Sequence, residues 1–162
     1  MQLYKKIVSF LNKSGVNYEL VSHPKVYTSD EAAKVREDMT LENGIKSLLI
    51  RTNNKEKKEF YLLVIPGNLK LNNSKVKKLL KVHSFSLANP EEVLAITSVE
   101  IGAVAPFSFL YTKNVTMYQD DDAFGNVDLV AFNPGVHDKT IMMNKDDFFN
   151  IIKDKYHSAK IT

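Results

Sequence analysis

The sequence predicts an α+β protein with a mixed, largely antiparallel central sheet flanked by helices. Two observations carry this prediction: the predicted strands outnumber the predicted helices, and many of the strands are joined by short turns. Both features argue against a doubly wound parallel sheet. The 162 residues fit one domain spanning 1–162, and 44% of them are hydrophobic, which is enough for an ordinary globular core.

The first elements follow from apolar spacing and capping residues. Near-helical spacing of apolar residues predicts an amphipathic helix from Met1 to Ser14, which Gly15 ends. A short strand follows at 17–21. Thr28 and Glu31 fit a capping box at the start of a second helix, because a hydroxyl is followed three residues later by a carboxylate.

A hairpin and a basic helix come next. The apolar runs 45–51 and 60–65 predict two strands joined by the polar, lysine-rich turn 52–59. A basic helix is then predicted at 74–81, with Ser74 as its N-terminal cap.

The last part of the chain is predicted to be rich in strands. Asn89 and Pro90 mark a strong helix start, and Asn144 caps a final helix that runs through Lys155. The tail 157–162 is expected to fray. The remaining strands are predicted at 85–88, 107–111, 115–118, 127–132 and 140–143.

Composition limits the partners and the compartment. The net charge of +3 is mild, with 22 basic residues of which only Arg36 and Arg51 are arginines. This balance permits an RNA partner without demanding one, and we expect neither DNA nor a membrane as partner. No cysteine is present, which excludes disulfides and thiolate chemistry. Without a long apolar run or a signal-like N-terminus, the chain is expected to be cytoplasmic.

Cofactor and metal signatures are missing from the sequence. No glycine-rich dinucleotide or Walker motif occurs, so no cofactor is predicted. The four histidines, at 23, 83, 137 and 157, show no metal-like spacing, and no metal is predicted. The run Asp120–Asp122 admits a divalent cation, but a solvated turn is the favoured interpretation.

Three features carry candidate chemistry. Lys46 opens an apolar strand, where it either extends to solvent or points into a cleft as a phosphate or carbonyl partner. Gly102 to Pro106 is either a structural loop or a main-chain wall for a small polar substrate. His137 lies in a tight turn after Gly135, either as a surface residue or as a hydrogen-bond or acid–base partner of a scissile ester.

Five stretches in a fixed order resemble the YbaK / prolyl-tRNA-synthetase-associated domain family. None is diagnostic alone, but their shared order makes coincidence a poor explanation. The stretches are 23–33 (with His23-Pro24 and Tyr27 to Ala33), 45–50, 88–92, 101–107 and 132–140.

The resemblance implies a fold like the prolyl-tRNA synthetase insertion domain and an editing deacylase that hydrolyses mischarged aminoacyl-tRNA. Lys46 matches the lysine on which deacylation depends, and His137 matches a histidine of the insertion-domain and alanine-type branches. Gly102, with Ala103, Val104, Ala105 and Pro106, matches the loop that positions the aminoacyl carbonyl, and Gly135 is expected to join it in substrate binding.

The implied substrate is the 3′ aminoacyl-adenosine end of a tRNA, with tRNA(Pro) as the expected tRNA. Alanine is the leading amino acid, and the run Pro106 to Phe109 keeps serine and threonine open. The chain looks like a freestanding member that acts in trans, with an aminoacyl-tRNA synthetase as a further partner. Lysines 75, 77, 78 and 81 either contact the tRNA backbone or form a solvated helix face.

Two rival functions stay open at this point. One is a non-catalytic module of the same fold that binds tRNA or a synthetase. The other is an enzyme that hydrolyses free amino-acid esters or related small molecules.

Overall fold

Two sheets organise the chain in the computed structural model, which describes residues 2–35, 39–54 and 56–162. Met1 of the predicted first helix and Lys55 of the predicted polar turn lie outside the described residues. The strands are β1 (Tyr18–Ser22), β2 (Ile45–Thr52), β3 (Phe60–Pro66), β4 (Phe85–Leu87), β5 (Thr116–Gln119), β6 (Leu129–Phe132), β7 (Lys139–Asn144) and β8 (His157–Ser158).

The helices lie between and around these strands. They are α1 (Leu3–Ser14), α2 (Ser29–Val35), α3 (Asn73–Leu80), α4 (Pro90–Thr97) and α5 (Lys145–Ile152), with short 3₁₀ helices at Leu41–Asn43, Ser108–Leu110 and Asp121–Phe124. No helix in the described ranges is both long and apolar enough to span a membrane.

Strand pairing confirms the α+β class and the mixed, largely antiparallel sheet. One sheet has the order β1-β7-β6, and the other has the order β4-β2-β3-β5-β8. The β3–β5 and β5–β8 pairs are parallel, whereas the remaining pairs are antiparallel. The predicted hairpin is present as β2 and β3, paired from Ile45 with Pro66 to Arg51 with Phe60.

The strand β3 separates two apolar clusters. Leu62 and Val64 face the larger cluster, while Leu63 and Ile65 face a smaller one, and all four side chains are fully buried. A strand that is buried on both faces reads as a continuous apolar run, which explains why its sequence lacks alternation. The larger cluster contains Phe107, whose ring meets several neighbouring aromatic rings edge to face.

The prediction of a strand at 107–111 is wrong. These residues form a turn of 3₁₀ helix, with Leu110 N donating to Phe107 O at 2.9 Å and Tyr111 N donating to Ser108 O at 3.1 Å. The apolar run reflects burial of Phe107 in the core, and burial by itself does not distinguish a strand from a helical turn.

Two helix boundaries also differ from the predictions. Asn72 caps α3, because its side-chain Oδ1 accepts from Lys75 N at 3.0 Å, so the predicted cap Ser74 lies inside the helix. The last helix is capped by Asn144 as predicted but ends at Ile152, before Lys155. Helix ends vary with local hydrogen bonding more than with apolar period.

The acidic run and the tail form one structural contact, which corrects both predictions about them. Asp120 is buried, and its Oδ2 accepts from Ile161 N (2.9 Å), Thr162 N (3.1 Å) and Thr162 Oγ1 (2.9 Å). Ile161 is fully buried, and β8 pairs with β5. The carboxylate of Asp120 therefore holds the tail against the five-stranded sheet, where a solvated turn and a fraying end were expected.

We predict that Asp120→Ala destabilises the protein by about 2 kcal/mol, because the buried main-chain N–H groups of the tail lose a charged acceptor. The neighbouring exposed Asp122 supplies the control, and Asp122→Ala is expected to change stability by less than about 0.5 kcal/mol. Urea unfolding of the two variants measures both effects. Equal unfolding midpoints for the two variants would contradict the proposed contact.

Candidate active site

A cavity of about 290 Å³ lies where β2 has no strand partner on the edge opposite β3. On that edge β4 pairs only with residues 50–52, and the other sheet meets the chain before β2 at a single bridge between Gly44 and Ala131. Among the described residues, no strand covers the stretch between these two contacts. The cavity fills this gap and is lined by β2 residues, by α2, by the end of β4 and by the loop after α4.

The open edge of β2 directs main-chain groups into the cavity. Leu49 O accepts from Ala88 N at 2.9 Å, which places the N–H and C=O of Leu49 on the edge opposite β3. Alternate residues of a strand share an edge, so the N–H and C=O of Ser47 also point towards the cavity. The Ser47 hydroxyl is buried with no hydrogen-bond partner among the described residues.

Lys46 provides the positive charge of this cavity. Its Nζ donates to Leu69 O at 2.8 Å, which anchors the side chain beside the loop after β3. Burial lowers the pKa of Lys46 below its ordinary value of 10.5, the neighbouring Lys70 adds to this lowering, and Asp30 partly offsets it. Lys46 is half-buried and lines the cavity, which argues against a side chain that extends fully into solvent, while its role as a phosphate or carbonyl partner stays a prediction.

A close approach of three chain segments forms the opposite wall of the cavity. Gly102 has φ +89°, and a Cβ atom placed there would lie 3.1 Å from Tyr27 O and 3.3 Å from His137 Nε2. Only glycine fits this space and this backbone conformation without strain. Asn133 reinforces the wall, because its Nδ2 donates to Gly102 O at 3.4 Å.

His137 holds this wall from the other side. Its Nε2 lies 3.0 Å from Ile101 O, and since a carbonyl oxygen only accepts, Nε2 carries the hydrogen. Its main-chain oxygen accepts from Val26 N at 2.9 Å. The ring of Tyr27 lies over the imidazole, with centroids 4.5 Å apart and an interplanar angle of 36°.

The predicted site residues fall into three places. Lys46, Gly102 and Val104 line the 290 Å³ cavity together. Ala103, Gly135 and His137 instead line a second, broader cavity of about 660 Å³ near the start of α1. Gly102 lines the first cavity and its neighbour Ala103 lines the second, so the loop lies between the two cavities. The structure therefore brings part of the predicted loop to the cavity of Lys46, whereas Gly135 and His137 of the predicted turn line the other cavity.

Ala105 and Pro106 are buried in the interior and line neither cavity. The hydroxyl of the buried Tyr111 donates to Ala105 O, which fixes the end of the loop, and burial raises the pKa of this tyrosine well above its ordinary value. Gly135 has φ +83° and packs against Leu3 of α1, where a Cβ atom would meet that side chain at 3.3 Å. These three positions shape the loop and its support.

Two residues at the cavity were not singled out by the sequence analysis. Tyr27 and Asn133 lie within the matched stretches 23–33 and 132–140, yet nothing in their spacing indicated a contact with the Gly102 loop. They reach the site through pairing of distant segments, which a single sequence does not display.

Comparisons with known proteins bear on the whole chain. The aminoacyl-tRNA editing domain family model matches residues 23–151. The multifunctional Ser/Thr-tRNA deacylase ProXp-y of Escherichia coli (strain K12) is 24% identical over 148 residues, which cover 91% of this chain and 87% of the relative. The prolyl-tRNA editing protein ProX of Acetoanaerobium sticklandii is 24% identical over 162 residues, which cover 99% and 96% of the two chains.

A solved structure shows the same fold. The crystal structure of a candidate trans-editing enzyme for prolyl tRNA synthetase matches with a TM-score of 0.79, covering 100% of this chain and 98% of that one at 21% sequence identity. At this identity the likeness establishes the architecture.

We predict that Gly102→Ala costs clearly more stability than Gly15→Ala. Both glycines have positive φ, +89° and +71°, so both variants incur backbone strain of about 1 kcal/mol. Only Gly102 has neighbours within 4 Å of the added methyl group, whereas Gly15 has none. Urea unfolding of the two variants measures the extra cost of the close approach at Gly102. Equal losses in the free energy of unfolding would contradict that close approach.

The lowered pKa of Lys46 predicts a pH dependence of stability. Between the folded and unfolded pKa values the unfolded chain binds more protons, so the contribution of Lys46 to the free energy of unfolding rises with pH through that window, up to the ordinary 10.5. Lys46→Met keeps the apolar stem and removes the titration. We expect the wild type to gain stability relative to Lys46→Met as the pH rises towards 10.5, and a difference that stays constant with pH would contradict the lowered pKa.

Proposed function

The chain belongs to the aminoacyl-tRNA editing domain family, and we propose that it clears mischarged tRNA carrying a small amino acid, alanine first, or serine or threonine. Its activity is that of an aminoacyl-tRNA hydrolase. The proposed tRNA is tRNA(Pro), and the proposed mode is trans-editing. Support for these finer points comes from the cavity and from the relatives, which are named as a Ser/Thr-tRNA deacylase and a prolyl-tRNA editing protein.

One observation carries the proposal: Lys46 and the Gly102 loop face the same small cavity at an open strand edge. An aminoacyl ester is already activated, so its hydrolysis needs orientation and charge stabilisation more than a strong nucleophile. A cavity with one ammonium group and several main-chain groups supplies both.

In the proposed reaction, the ester carbonyl lies between the main chain of Gly102–Val104 and the Lys46 ammonium. Water attacks the carbonyl carbon, with the ribose 2′-hydroxyl as proton relay, and negative charge develops on the carbonyl oxygen. The bond between the carbonyl carbon and the ribose 3′ oxygen then breaks, and the proton from water passes to that oxygen. Lys46 stabilises that charge or the adjacent 3′ end, and this stabilisation grows towards the transition state. The amino acid and the tRNA with a free 3′ end are the products.

The size of the cavity supports a small amino acid. Its volume of about 290 Å³ must hold the side chain, the ester and part of the ribose. Leu49, Val93 and Val104 contribute apolar walls that exclude larger side chains. Exclusion by size is the easier form of discrimination, whereas alanine, serine and threonine differ by only a few atoms.

The predicted catalytic role of His137 stays a prediction. Its Nε2–H is engaged with Ile101 O, and its side chain lines the second cavity, so its contacts support an action through the Gly102 loop. Gly135 supports the same loop by bringing this turn against α1. Both residues therefore belong to the proposed positioning machinery.

The proposed partner is mischarged tRNA, and an aminoacyl-tRNA synthetase is a further proposed partner. Support for the synthetase comes from the solved relative, whose description names prolyl tRNA synthetase. The lysines of α3 lie apart from the cavity, and one of them, Lys75, donates to Thr162 O at 2.8 Å. Their contact with tRNA stays a prediction.

Deacylation of Ala-, Ser-, Thr- and Cys-charged tRNA(Pro), measured in parallel, tests the proposal. We expect release from the alanine substrate or from its serine and threonine relatives, and a loss of about 100-fold or more in kcat/KM for Lys46→Ala, because the developing charge loses its partner. Lys70→Ala removes a neighbouring exposed ammonium group and serves as the matched control, with less than about a threefold effect expected.

Two outcomes would contradict the proposal. Folded protein that binds tRNA but releases no amino acid from any substrate would favour the non-catalytic module. Hydrolysis of free amino-acid esters that equals hydrolysis of charged tRNA would favour a small-molecule esterase.

A further inference from the structure

We propose that the exposed face of Tyr27 is the platform on which the terminal base of the tRNA stacks, so that the attached ester enters the cavity of Lys46. This inference rests on the proposed function, because it names the contact that orients its substrate. It assigns a binding role to Tyr27, in addition to the proposed roles of Lys46, His137 and the Gly102 loop.

Tyr27 is an exposed aromatic residue at the rim of the cavity. It keeps 53% of its surface accessible and lines the cavity that contains Lys46. Ile101 and Leu87, with exposures of 52% and 60%, line the same cavity. Large apolar side chains clustered at a cavity rim mark a contact surface more often than scattered ones do.

The ring of Tyr27 is held in place before any ligand binds. Tyr27 N donates to Glu31 Oε2 at 2.9 Å, and Tyr27 O abuts Gly102. One face of the ring covers the His137 imidazole at 4.5 Å, which leaves the other face outward. A side chain that is already ordered loses little entropy when a ligand binds to it.

A nucleic-acid base is the ligand that fits this surface. Unpaired bases at the end of an RNA strand are free to stack on aromatic side chains, and each such contact contributes about 1–3 kcal/mol. The base and the ester are attached to the same ribose, so they must bind within one sugar of each other. Tyr27 at the rim and Lys46 line the same cavity, so the two residues are close enough to contact the base and the ester of one nucleotide.

Stacking uses the ring face and not the hydroxyl, which sets the choice of variants. Tyr27→Phe retains the platform, whereas Tyr27→Leu retains apolar bulk without an aromatic face. Leu20→Ala removes another exposed apolar side chain, on β1, which lines neither cavity, and it serves as the control.

The test uses uncharged tRNA(Pro) whose terminal adenine is replaced by 2-aminopurine, a base whose fluorescence is quenched by stacking. We expect quenching with wild type, Tyr27→Phe and Leu20→Ala, loss of quenching with Tyr27→Leu, and about tenfold weaker binding by that variant. With charged tRNA, Tyr27→Leu is expected to raise KM about tenfold and to change kcat less than about threefold.

A second arm needs no protein variant. Wild-type protein should bind tRNA lacking only the terminal base about as weakly as Tyr27→Leu binds intact tRNA, and combining the two changes should add little further loss. Quenching and KM that are unchanged in Tyr27→Leu, or tight binding of the abasic tRNA, would overturn the platform. Quenching without hydrolysis of any charged tRNA would leave the platform standing and contradict the proposed activity.

Discussion

The open edge of β2 is the constraint on which the site depends. A strand in the interior of a sheet normally has both edges paired, yet β4 pairs with β2 only from Ile50 onward. In the part of the chain that the structure describes, the bridge to the other sheet lies at Gly44, just before β2 begins. Exposed main-chain groups at such an edge require a partner. The chain leaves a cavity there and surrounds it with polar and apolar side chains, and this cavity is the one in which we propose that the ester binds.

The second constraint is the contact at Gly102. Three segments that are distant in sequence converge there, because the glycine backbone fits between Tyr27 O and the His137 ring. The Nε2 of that histidine holds Ile101 O, and its ring carries Tyr27. A change at this point is therefore transmitted to the cavity wall, to the second cavity and to the rim together.

The charge of Lys46 and the size of the cavity have different roles in the proposed site. Lys46 is held by Leu69 O in a place where burial lowers its pKa, so its charge is less solvated than that of a surface lysine and acts more strongly on a nearby oxygen. The apolar lining of the cavity supplies no chemistry, but it limits what can approach that charge. In the hydrolysis that we propose, these two features orient an ester that is already activated.

The sequence by itself determined the fold class and the β2–β3 hairpin. It also singled out Lys46 and the Gly102 loop, which line the same cavity. These depend on local pattern and motif: apolar runs, a cap at Asn89 or Asn144, and a glycine-to-proline spacing. Tertiary structure alone decided that 107–111 is a helical turn and that Asp120 holds the tail. It also decided that Tyr27 rests on His137. The hydrogen bonds of the 107–111 turn are local, but Phe107 is buried against rings that are distant in the chain, and the partners of Asp120 and Tyr27 are distant as well. The energy of these contacts comes from burial and pairing that local sequence does not encode.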